Sequence, residues 1–88
     1  MSVRYEVTGY DPKIGRLAAF YDVPARRLLS VRKVAGVSAS DDGLGAYPLD
    51  RDQVFAIARL LEMRIDNQDL DYFLEAHDAE ADRSPLGA

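Results

Sequence analysis

The chain opens on a strict alternation. Val3, Tyr5 and Val7 are apolar, and Arg4, Glu6 and Thr8 between them are polar. Period two with β-branched and aromatic residues predicts a strand with one buried face. Asp11-Pro12-Lys13-Ile14-Gly15 follows. Asp opening a turn, Pro with φ preset and Gly free to turn left-handed predict a tight reversal with a bulge. Residues 16–22 then resume the extended pattern, with Leu17, Ala19 and Tyr21 on one face, completing a β-hairpin.

The period then changes. Asp22-Val23-Pro24 reads as a helix start, since a proline there loses only an N–H that would have no partner. A helix over 24–35 would bury Ala25, Leu28, Val31 and Ala35, leave Arg26, Arg27, Arg32 and Lys33 wet, and stop at Gly36. A second helix is expected over 51–63. Asp50 and Gln53 stand at capping-box spacing, Leu49 and Val54 at the positions of a hydrophobic staple, and Val54, Ile57, Ala58 and Leu61 form the apolar stripe. Between the helices, residues 37–48 are mostly small, acidic or glycine and predict a loop. A connection of that length in so small a domain is functional or mobile.

The segment 70–77 reads two ways. As a helix it groups Leu70, Phe73, Leu74 and His77. As a strand it sets Tyr72, Leu74 and Ala76 against Phe73, Glu75 and His77. The strand is favoured, because a lone hairpin is marginal in water and a third strand under a helical layer completes a two-layer domain. The expected fold is therefore α+β, ββααβ, in a single domain over 1–78, with 79–88 as a flexible tail.

With 88 residues there is room for one core. The absence of cysteine removes disulfides, thiolate metal sites and a cysteine nucleophile. No apolar run approaches the roughly 18–20 residues of a membrane span, and the start lacks a signal-peptide pattern, so a soluble cytoplasmic protein is the expectation. The net charge of −4 conceals an asymmetry: residues 1–40 carry +4 and residues 41–88 carry −8. Over 65–82 there are seven acids and no lysine or arginine. Such a stretch repels nucleic acid and draws in a basic protein.

Catalytic and metal signals are weak. His77, the one histidine, has Glu75 and Asp78 nearby, but no Gly-x-Ser-x-Gly turn supplies a nucleophile. The acids around Asp66, Asp69 and Asp71, and Asp41-Asp42-Gly43, lack the spacing of a calcium loop. Gly43-Leu44-Gly45 is neither a dinucleotide fingerprint nor a phosphate loop. No cofactor, metal or catalytic residue is expected. The reading is a non-enzymatic protein-binding domain whose contacts are Asp66, Asp69, Asp71, Glu75 and Asp78, with Tyr47 as an aromatic anchor on the long loop. The alternative is a small homodimer joined through an exposed strand edge.

Gly9-Tyr10-Asp11-Pro12-Lys13, Tyr47-Pro48-Leu49 and Tyr72-Phe73-Leu74-Glu75-Ala76, taken together, resemble a family of small uncharacterised bacterial proteins with a Tyr-Pro-Leu element and a C-terminal Tyr-Phe-Leu-Glu-Ala motif. The resemblance brings no catalytic residues. By type, small acidic bacterial domains include immunity proteins that mask toxins, and on that analogy the expected partner is a basic toxin or nuclease domain.

Overall fold

A computed structural model describes residues 3–38, 40–42, 44–65 and 69–78. Strands β1 (Val3–Tyr10) and β2 (Leu17–Val23) form the expected hairpin. Its turn is closed by Asp11, whose carbonyl accepts from the Gly15 N–H at 2.7 Å and whose N–H donates to the Arg16 carbonyl at 2.9 Å. The bulge falls where Gly9 opposes Ala19 but Tyr10 opposes Leu17, so Ala18 is the extra residue. That shift moves Leu17 to the opposite face from Ala19 and Tyr21, which the uninterrupted alternation did not anticipate.

The first helix begins later than expected. After Pro24, Ala25–Arg27 wind as a 3-10 turn, and α1 proper spans Leu28–Ala35. Gly36 ends it at φ 77°, with the Gly36 N–H donating to the Lys33 carbonyl and the Val37 N–H to the Arg32 carbonyl. This is the paired closure that glycine permits at a helix C-terminus. Helix α2 spans Arg51–Leu60, and both bonds of its capping box are made: Gln53 N–H to the Asp50 carboxylate at 2.8 Å, and Asp50 N–H to the Gln53 amide oxygen at 2.7 Å. Such a cap is worth about 1 kcal/mol. The same Gln53 donates to the Val34 carbonyl at 3.0 Å, tying the start of α2 to the end of α1. The helix stops short of residue 63 because Glu62 turns left-handed, at φ 53°.

Two expectations about the sheet meet different outcomes. The 70–77 segment is a strand, β4 (Asp71–Asp78). The long loop, however, contains a further strand, β3 (Ala46–Leu49), so the order is ββαβαβ and the sheet has four strands rather than three. All neighbours are antiparallel, in the order β2-β1-β4-β3. Proline cannot donate to a ladder and is excluded from interior strands. An end position tolerates it, and β3 lies at the end, with Pro48 opposite Phe73.

Both helices pack on one face of the sheet. Tyr5 and Val7 of β1, Val23 of β2, and Tyr72 and Leu74 of β4 meet Val31 of α1, Val54, Ile57 and Ala58 of α2, and Ile65 beyond it. Among the described residues no helix is long and apolar enough to cross a membrane. Residues 79–88, expected as a tail, lie outside the described residues.

Candidate functional site

The alternation that buries Tyr5 and Val7 sends Arg4, Glu6, Thr8 and Tyr10 to the sheet face that carries no helix. Directly opposed residues share a face in an antiparallel ladder, so the register builds this surface row by row. Asp22, Glu6, Glu75 and Ala46 form one row; Phe20, Thr8, Phe73 and Pro48 form the next. Arg4 opposes His77 on one side of these rows, and Leu17, Tyr10 and Asp71 line up on the other.

One half of the surface is apolar. Phe20 remains 47% exposed and Leu17 is exposed beside it. The Tyr10 and Phe73 rings meet edge to face, 5.8 Å apart at 75°, an arrangement that aromatic quadrupoles favour. Thr8 is buried between Phe20 and Phe73, its hydroxyl 3.4 Å from the Phe73 carbonyl.

The other half is charged and tightly connected. Glu6 is 1% exposed although it lies on the uncovered face. Its Oε1 is 3.3 Å from His77 Nε2, and its Oε2 is 3.7 Å from Arg4 Nε. The same Nε2 lies 3.3 Å from Glu75 Oε1, and the other Glu75 oxygen accepts the Tyr10 hydroxyl at 2.8 Å. Like charges directly opposed across strands are destabilising, yet Asp22, Glu6 and Glu75 stand in one row. Arg4 and His77 stand opposite each other one row along. The imidazole thus stands between two carboxylates, 3.3 Å from each. Among the described residues no three of His, Cys, Asp or Glu are arranged to hold a metal ion.

The residues expected to form a binding surface are divided. Asp71 and Glu75 lie on the open face, Asp71 exposed at the start of β4 and Glu75 at its centre. Tyr47 is not on a loop: it belongs to β3, opposes Leu74 on the helix side and packs against the core. Its hydroxyl donates to Asp41 Oδ1 at 2.6 Å. That bond to a carboxylate holds the hydroxyl above the ordinary tyrosine range, and partial desolvation and the charges of Asp41 and Asp42 act in the same direction. Asp69 is exposed in the turn before β4, beside a concavity of about 220 Å³ whose walls include Leu49, Val54 and Tyr72. Asp66 and the side chain of Asp78 lie outside the described residues.

Arg4, Glu6, Tyr10, Phe20 and Asp22 were missed as site residues. The alternation had placed Arg4 and Glu6 on a common face, and the strand reading of 70–77 had grouped Phe73, Glu75 and His77. Only the β1–β4 register brings those two groups together.

A four-stranded antiparallel sheet with both helices on one side and an acidic, aromatic surface on the other defines an open-faced α+β domain. Residues 4–75 match the family described as a domain of unknown function, DUF7683, and the chain belongs to that family. No curated protein and no solved structure matches the chain.

Proposed function

We propose that this is a non-enzymatic protein-binding domain that takes a basic partner on the open face of its sheet. The observation that supports it best is the row Asp22–Glu6–Glu75 beside the exposed Phe20. A row of opposed acids is unfavourable for the isolated sheet, and a lysine or arginine from a partner would relieve it. The adjoining Phe20, Tyr10 and Phe73 would supply the apolar contact area that charged surfaces lack. Central aromatic anchors combined with charges that steer the approach are a common interface design. On this reading Asp71 and Glu75 act as charge complements. The partner is a basic protein such as a toxin or nuclease domain, and the setting is the bacterial cytoplasm, as for an immunity-like inhibitor.

The test begins with capture on the immobilised domain from a bacterial lysate at low and moderate salt. A stoichiometric basic protein that is released as salt rises is then purified, and its association rate is measured against two charge-matched variants. Asp22→Lys/Asp71→Lys alters the open face; Asp52→Lys/Asp69→Lys makes the same change in net charge elsewhere. The first pair is expected to slow association about tenfold or more at low salt, and the second much less. Nothing retained at low salt, or equal slowing by the two pairs, removes the reading.

A further inference from the structure

The two ends of the sheet are built differently. β3 is four residues long and contains Pro48, which offers no N–H, so that end is poorly suited to extend the sheet. β2 is seven residues long, and its sequence, Leu-Ala-Ala-Phe-Tyr-Asp-Val, has no proline, lysine or arginine. Its single charge is Asp22. End strands are normally protected by just those residues, and β2 has instead an exposed phenylalanine at its centre.

We infer that β2 pairs with β2 of a second copy of this chain, antiparallel about a two-fold axis, joining two four-stranded sheets into one of eight strands. The register follows from geometry. Opposed residues must share a face, so the axis passes through a residue rather than between two. An axis at Phe20, the middle of the seven, sets the two exposed rings against each other. Phe20 then meets Phe20 of the second copy, Ala19 meets Tyr21, and Asp22 comes opposite the bulged Ala18; the ladder ends there, because the bulge puts Leu17 on the other face from Val23. The bulge at Ala18 lies near one end of the strand, so Ala19 to Tyr21, around the axis, form the regular part.

A second copy fits this edge better than an unrelated strand for two reasons. The apolar row Pro48–Phe73–Thr8–Phe20 runs out at the edge, and the axis continues it in reverse order through the second copy, covering two phenylalanines that are each 47% exposed. The same axis sets each Asp22 against an alanine rather than against its own copy, so no like charges face each other in the new ladder. Two chains of charge −4 still repel at long range, and salt screens that repulsion. Dimerisation therefore strengthens at moderate salt, the reverse of what binding a basic partner does, and the two proposals fail independently.

The experiment is sedimentation equilibrium of the full chain over a wide concentration range at low and moderate salt, joined to cysteine cross-linking. The wild type is expected to reach twice the 9.8 kDa of one chain at high concentration. Phe20→Lys is expected to stay at one chain throughout with unchanged circular dichroism. The natural chain has no cysteine, so Phe20→Cys reports on the axis alone. Directly opposed Cβ atoms lie about 4.5–5.5 Å apart, near enough for a disulfide after a small adjustment. Phe20→Cys is expected to form linked dimers on mild oxidation at least ten times faster than Leu29→Cys, which replaces a residue 84% exposed on α1. A mass of one chain at every concentration and salt overturns the inference, as does equal cross-linking by the two cysteine variants.

Discussion

Gly9 lies in the central strand with the Tyr72 ring across it on the helix side. A Cβ at that position would sit 2.8 Å from Tyr72 Cε1 and 2.9 Å from Leu70 Cδ1. Carbon atoms pack best at about 3.5–4.0 Å, so the overlap amounts to roughly 0.7–1 Å. Tyr72 is buried among core residues and cannot swing clear. Forcing extra volume into a packed interior typically costs about 1–3 kcal/mol, while alanine is better than glycine in a strand interior by about 0.5–1 kcal/mol. Gly9→Ala is therefore expected to destabilise the domain by about 1–2 kcal/mol. In a domain of this size that lowers the midpoint of thermal unfolding by about 4–16 °C. The decisive comparison uses Tyr72→Val, which lacks the two ring carbons nearest Gly9. The remaining contact is with a methyl of the half-buried Leu70, which can turn aside. In that background Gly9→Ala should stabilise by about 0.5 kcal/mol, and urea unfolding of the four proteins gives the coupling directly. Gly9→Ala as stable as the wild type, or equally harmful in both backgrounds, would refute the steric reasoning.

Two further outcomes follow from local geometry. Glu62 closes α2 in the left-handed region, its N–H donating to the Arg59 carbonyl while the Met63 N–H donates to the Ala58 carbonyl. Glycine adopts that conformation without strain, so Glu62→Gly should raise stability by about 0.5–1 kcal/mol in urea unfolding, and Glu62→Val should lower it. The Tyr47 hydroxyl, held above its ordinary value of 10.0 chiefly by the bond to Asp41, should ionise later than a free tyrosine in an ultraviolet difference titration against Tyr47→Phe, and Asp41→Asn should bring it back down. Because the folded value lies above the unfolded one, this group's contribution to stability is complete below pH 10 and is lost as pH rises through the folded value.

How much could be read in advance depended on how local the determining forces were. The hairpin, the Asp50–Gln53 cap and the Gly36 stop are settled within a few residues, and they appeared where the pattern put them. The 70–77 segment could be assigned only by asking what a hairpin needs for stability, and that argument led to the strand. β3 escaped because Ala46-Tyr47-Pro48-Leu49 has no clear alternation and contains a residue hostile to interior strands; only its position at the end of the sheet makes it acceptable. The candidate site was half legible. The charges of Asp71 and Glu75 mark two residues that share the open face, but Tyr47, whose neighbours suggest a loop, is turned inward by its pairing with Leu74. Glu6 and His77 are 71 positions apart in the chain, which no local pattern spans, and their contact follows only from the β1–β4 register.

That register has a consequence for how the protein is made. The two central strands are the first and the last elements described, and contacts such as Thr8 with Phe73 bridge 65 residues. Topologies dominated by such long-range pairs fold slowly. At about 5–20 residues per second of synthesis, β1 waits roughly 3–13 s for the segment that will lie beside it. Throughout that interval the β1–β2 hairpin has two unprotected edges and an uncovered Tyr5 and Val7 surface. The hazard for this domain is therefore greatest on the ribosome, before β4 has emerged, and an early encounter between two nascent hairpins competes directly with the native fold.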